Sequence, residues 1–246
     1  MTRALRVLVG AGSFADAETA LRIARHLVAR GAGSLGGLLV EEEALAALCS
    51  LPHQRVISMT GAILAAPTPA RMRAIINADA RAFRQMLEDL SAPSGSGSSF
   101  EVETGDLVVT TIASAQGWDV LVLGHSEVHR RAGRVIHLTG PDGNKEGPGE
   151  MAEGLARVLN TGLDIYRVSP DHTDTRMTSS GRSFRFDTLE TALAGLARTN
   201  TQAVVTDLAS GPVRSPAELR RLLEAARCPV VVLGAAKSQA IQQNPG

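Results

Sequence analysis

Three stretches of this 246-residue sequence carry residue types that could do chemistry. In "VGAGSFA", Gly10, Gly12 and Ala15 have the G-x-G-x-x-A spacing that can bring a pyrophosphate onto a helix N-terminus, with Ser13 beside them. A tight strand-to-helix turn is favoured here over the site of a dinucleotide-binding enzyme. The acids closing the next apolar run, Glu41 and Glu42, lie further from Gly12 than the roughly 20 residues that fingerprint expects. A short-chain oxidoreductase would also need a tyrosine four residues before a lysine, and the single tyrosine, Tyr166, has Pro170 there.

The second stretch, "GHSEVHRRAGR", follows an apolar run and so belongs at the carboxyl edge of a sheet, where open α/β folds bind ligands. Gly124, His125, Ser126, Arg130 and Arg131, with Arg134 beyond, are the candidates for meeting an anion, because guanidinium groups pair with phosphate in a bidentate manner. His125 and His129 at i, i+4 could share a helical face, but no third ligand is signalled, so no metal site is assigned. A solvated crossover between the halves is the favoured reading of this stretch, which is still the preferred location for any anionic ligand.

The third, "LCSLPHQRVISMTG", offers Cys49, His53, Arg55 and Ser58. A cysteine beside a histidine can be a nucleophile with its base, yet no group is in place to orient the pair. It reads as a packing or lid segment. Asp142, Asp171, Asp174 and Asp187 are scattered, and there is no G-x-S-x-G serine. No catalytic residue is assigned.

The elements that must position these residues alternate between short apolar runs and amphipathic stretches, the pattern of an α/β fold with a parallel sheet. Strands are expected at "RVLVG", "LGGLLV", "FEVET", "DVLVLG", "RVIHLT", "LDIYRV", "SFRFD", "QAVVTDL" and "PVVVLG". Ser13 with Asp16 begins a helix carrying Ala17, Leu21, Ala24 and Val28 on one face. Thr68-Pro69 begins a long one over Ala70 to Leu90. "SPAE" combines an N-cap serine, proline at the first position and a capping glutamate. "DLVVTTIASAQG" is rich in β-branched residues, but two parallel neighbours need a crossover, so it is read as a helix. "SAPSGSGSS" is read as a loop rather than a domain linker.

The element order repeats, which predicts two tandem domains, residues 1–132 and 133–246. The second is reduced, because "PDHTDTRMTSSGRS" is too short and polar to match the long helix. With 25 basic and 25 acidic residues the formal charge is zero, and aromatics are only 3%, which argues against nucleic acid or an anionic membrane as partner. Two distant cysteines, and the lack of a long apolar stretch or a signal-like start, lead to the expectation of a soluble cytoplasmic protein.

The stretches "RVLVGAGSFADAETALRIARHLVARGA", "DVLVLG" and "LRRLLEAARCPVVVLG", in this order, resemble the universal stress protein family, specifically its tandem members. The resemblance covers most of the chain. It implies a layered α/β fold, pairing of domains or of chains as a homodimer or with another regulatory protein, and in some members ATP or another adenine nucleotide at the carboxyl ends of the strands. It also implies a stress-related regulatory or binding role, with adenine-nucleotide binding and slow hydrolysis as the alternative. The nucleotide-binding members carry a glycine-rich loop after the fourth strand. Here Gly124 matches its first glycine, but Glu127 stands where the second belongs. In the second half Gly211 is followed by Arg214. Gly12 stands where the family often has an aspartate. No cofactor is therefore required by the residues themselves. "TGPDGNKEGPG", with Gly140 and Gly143, follows a first strand rather than a fourth, and reads as the entry to the second half's first helix with Asp142 near the aspartate position.

Overall fold

The structure, a computed structural model, describes residues 5–29, 32–43, 47, 55–57, 63–65, 67–94, 97–125, 133–141, 145–170, 176–178 and 181–236. Along the first half run β1 (Leu5–Ala11), α1 (Phe14–Val28), β2 (Ala32–Glu42), β3 (Arg55–Ile57), β4 (Ile63–Ala65), α2 (Pro69–Ser91), β5 (Ser98–Gly105), α3 (Leu107–Ser114) and β6 (Val120–Leu123). The second half has β7 (Arg134–Thr139), α4 (Glu150–Val158), β8 (Leu163–Val168), β9 (Arg176–Thr178), β10 (Gly181–Phe186), α5 (Leu189–Leu196), β11 (Thr201–Asp207), α6 (Pro216–Ala226) and β12 (Val230–Leu233).

Ten strands form one sheet in the order β5-β2-β1-β6-β12-β11-β7-β8-β10-β9, and β3 with β4 makes a separate hairpin. Pairing is parallel throughout the large sheet except at β6–β12 and β9–β10. The class is α/β with a mainly parallel sheet, as the alternation predicts. Strands covered on both faces have no solvent side to populate with polar residues, so β6 and β12 read as unbroken Val and Leu.

Helices α1, α2 and α4 cover one face through Leu21, Phe83 and Leu155, and α3, α5 and α6 the other through Ile112, Leu193 and Leu222. Each core cluster runs through strands of both halves. The helix starts follow their local chemistry. Ser13 accepts the Asp16 amide, Thr68 accepts that of Arg71, and Ser215 with Glu218 forms a reciprocal capping box. "DLVVTTIASAQG" is helical, started by Asp106 accepting from the Val109 amide, so the crossover requirement overrides β propensity.

Counting strands that pair in parallel, β5-β2-β1-β6 and β10-β8-β7-β11 both follow the order third, second, first, fourth. A fifth strand, β12, belongs beside β11 and lies antiparallel against β6, with Val230 opposite Leu123 and Leu233 opposite Val120. Because β6 and β12 run in opposite directions, the carboxyl ends of β1 and β6 open on one rim of the sheet. Those of β7 and β11 open on the opposite rim.

The polar stretch before β10 contributes the short antiparallel edge strand β9.

Candidate functional site

The first rim gathers four of the residues expected to meet a ligand. Gly12 and Ser13 leave β1, and Gly124 and His125 leave its neighbour β6. Three of them have a polar group already paired within the protein. The Gly124 amide donates to the Gly10 carbonyl at 2.8 Å, continuing the ladder. A Cβ at Gly124 would lie 2.4 Å from the Asp16 carbonyl oxygen, so glycine is needed there for the passage of α1, not for a phosphate. The His125 carbonyl accepts the Thr19 hydroxyl at 2.8 Å. The Ser13 hydroxyl donates to the Asp16 carboxylate at 2.6 Å while accepting its amide.

Phe14, the first residue of α1, donates its amide to the Asp79 carboxylate at 3.0 Å. A helix N-terminus carries unsatisfied amides and a partial positive charge, and at the end of a first strand it is where phosphate is commonly received. Here α2 supplies a carboxylate to that position. Nothing in the sequence near Asp79 signals this, since it is 65 residues from Phe14 and sits within an ordinary amphipathic helix.

The dinucleotide-like spacing has structural causes of its own. A Cβ at Gly10 would fall 2.4 Å from the Thr111 side chain, so α3 needs that glycine. A Cβ at Gly12 would meet nothing nearer than the Val40 carbonyl at 4.0 Å, and Ala15 is exposed instead of packed between helix and strand. Ser126, Arg130 and Arg131 lie outside the described residues, as do Glu127, His129, Cys49, His53 and Ser58. Arg55 falls in β3 and is exposed. Arg134 starts β7, and its guanidinium pairs with the buried Asp164 of β8 at 2.8 Å, where Arg182 also binds. It is therefore committed to holding two strands together.

On the opposite rim, the turn after β11 closes on itself. Asp207 accepts the Ala209 amide and the Ser210 hydroxyl, each at 2.8 Å, and its carbonyl takes the Gly211 amide. Arg214 donates its amide to Glu218 and its Nε to the Gly211 carbonyl. The Gly211 amide is thus spent within the turn, in keeping with a second half that lacks the family's glycine spacing. Asp142 and Gly143 lie outside the described residues, while Lys145–Gly149 forms a π turn leading into α4.

No motif in the sequence points to His137, a further titratable residue in this half of the sheet. His137 sits in β7 with only 5% of its surface exposed, opposite Val205 of β11 and Ile165 of β8. Burial, and next the Arg167 cation, push its imidazole down to about 4, against the pull of Asp207 and Glu153. The ring is neutral at pH 7. Arg167 keeps a buried Nε without a hydrogen-bond partner. A titratable residue inside the apolar run "RVIHLT" is the signal that could have drawn attention to it. Among the described residues, no group of three or more His, Cys, Asp or Glu side chains could hold a metal ion, and no helix is long and apolar enough to cross a membrane.

The geometry defines an α/β three-layer protein whose two strand-end rims face opposite ways. No family model and no curated protein matches the chain. Among solved structures it is similar to a universal stress protein from Archaeoglobus fulgidus DSM 4304, at 12% identity over 93% of this chain and 96% of that one, with a TM-score of 0.49. It is also similar to a putative universal stress protein from Pseudomonas aeruginosa UCBPP-PA14, at 12% identity, 98% and 99% coverage and a TM-score of 0.43. A third is the cytoplasmic domain of a prokaryotic cation chloride cotransporter, at 12% identity, 98% and 100% coverage and a TM-score of 0.39. Likeness at this level assigns neither a ligand nor a reaction.

Proposed function

We propose that the chain is a universal-stress-like regulatory or binding protein without catalytic activity, composed of two tandem domains, residues 1–132 and 133–246. It does without the usual loop for ATP. The observation that carries this reading is the Asp79 carboxylate on the Phe14 amide. An incoming phosphate at the end of β1 would have to displace a fixed negative charge, and the Gly124 amide beside it is already spent on Gly10. Regulation then works by a partner or ligand that binds one arrangement of the two halves more tightly than another, since only differential affinity shifts a conformational equilibrium. Cytoplasmic residence, a role in stress response and pairing with a second copy or another regulatory protein belong to the same proposal.

Calorimetry with ATP, ADP, AMP and cyclic nucleotides tests it. The expected result is no saturable heat. Stoichiometric micromolar ATP binding would overturn the reading, and its loss on Arg130→Ala with Arg131→Ala would assign it to the arginines of the stretch that follows β6 in sequence. A thermal shift with NAD(H) or NADP(H) would instead support a dinucleotide site.

A further inference from the structure

Away from both rims, a cleft of about 180 Å³ opens on the sheet face covered by α3, lined by Leu8, Leu38, Ser99, Glu101, Ser114 and Trp118, with the Gly37 backbone as part of its floor. Its existence follows from the sequence of β2. A Cβ at Gly36 would fall 2.5 Å from the Trp118 indole, so the missing side chain there lets the ring lie on the strand. Ser99 and Glu101 come from β5, in register with Gly36 and Leu38, and β5 is the edge of the sheet. The cleft therefore opens sideways to solvent.

Three properties of the lining select a ligand class. Trp118, half-buried, offers the side chain with the strongest attraction for cations among aromatics. Glu101 is the one formally charged group among the described lining residues, and it is exposed with no ion pair there. A second carboxylate, Glu103, follows two residues later on the same side of β5 and accepts the Ser114 hydroxyl at 3.4 Å. Arg6, on the same face of β1, does not line the cleft, and its guanidinium lies against Gly117. The volume is below the roughly 300 Å³ at which pockets for drug-sized molecules begin, which suits a headgroup of a few heavy atoms.

We propose that this cleft binds a small organic cation, an ammonium group held between the indole of Trp118 and the carboxylate of Glu101. The site is independent of the rims and of the regulatory reading above.

Trp118 is the only tryptophan in the chain, so its fluorescence reports on the cleft directly. The full chain is titrated with choline chloride against sodium chloride at equal ionic strength, and with 3,3-dimethylbutan-1-ol, which has the same shape without the charge. The proposal expects a saturable change in emission with choline, with a dissociation constant of about 1 mM for so small a ligand. The neutral alcohol should bind about tenfold more weakly, and Glu101→Gln should weaken choline by about tenfold. Glu101 is exposed, so circular dichroism of that variant should match the parent. A linear, unsaturable response, equal affinity for choline and the alcohol, or undiminished affinity in a folded Glu101→Gln variant would each overturn it.

Discussion

The amide of Phe14 and the carboxylate of Asp79 meet at 3.0 Å, joining the start of α1 to the middle of α2. The contact satisfies an otherwise orphaned helix amide and places a negative charge at the positive end of α1. Replacing Asp79 with Ala should cost about 1–2 kcal/mol of unfolding free energy, and Asn, which keeps an acceptor without the charge, should recover part of it. Urea denaturation of the three proteins measures this. Equal stability of all three would mean the contact does not fix the helix pair.

Two glycines on the same rim should behave oppositely. Gly124→Ala forces a Cβ against the Asp16 backbone carbonyl and should cost about 2 kcal/mol or more, because backbone cannot yield as a side-chain tip does. Gly12→Ala has 4.0 Å of clearance and should stay within about 0.5 kcal/mol. Thermal melts at a single pH separate the two.

His137 predicts a definite pH slope. Its folded-state value, about 4, lies below the ordinary 6.5, so the unfolded chain takes up the proton first as the solution is acidified. Its contribution is full above pH 6.5 and is lost as pH falls from 6.5 towards about 4, amounting to about 3 kcal/mol across the whole interval. His137→Val should flatten this part of the stability curve, most legibly between about pH 6.5 and 5, before carboxylates begin to titrate. His26 on α1 is also lowered, chiefly by burial, and is present in both proteins. The difference between their denaturation curves therefore isolates His137.

Asp164, 1% exposed, binds Arg134 and Arg182 from the neighbouring strands β7 and β10. Asp164→Ala leaves two arginines crowded together without their anion and should cost about 3 kcal/mol. Arg182 meets the carboxylate through two hydrogen bonds, at 3.1 and 2.8 Å, but its side chain is half exposed and Arg134 still faces Asp164, so Arg182→Ala should cost clearly less than Asp164→Ala. Similar losses from the two variants would show that Arg134 cannot hold the carboxylate alone.

How much of this was legible depended on whether the determinant was local. The nine expected strands are all present: central ones such as β6 and β12 are buried and read as unbroken apolar runs, whereas "FEVET" and "SFRFD" show themselves by alternation. Ser215 with Glu218 announced α6 because a capping box lies within one helical turn. The strands β3, β4 and β9, three residues each, are too short to show a period. Of the candidate site, Gly12, Ser13, Gly124 and His125 do share a rim, as the strand ends predicted. What occupies their polar groups was hidden, because Asp79 reaches Phe14 only through the packing of α2 on α1. His137 is a single letter in an apolar run and belongs to no motif. Nothing in hydrophobic periodicity could place β12 against β6, since strand order is settled by how whole layers pack.

That placement has a consequence for the birth of the molecule. β12, Val230–Leu233, occupies the middle of the sheet with β6 on one side and β11 on the other, yet among the described strands it is the last to leave the ribosome. Domains synthesised early commonly fold while the rest is still being made. Here β6 must wait, one edge bare, through the translation of more than a hundred residues, from Leu123 to Val230. Its "VLVL" is then an adhesive edge of the kind that pairs with the wrong strand.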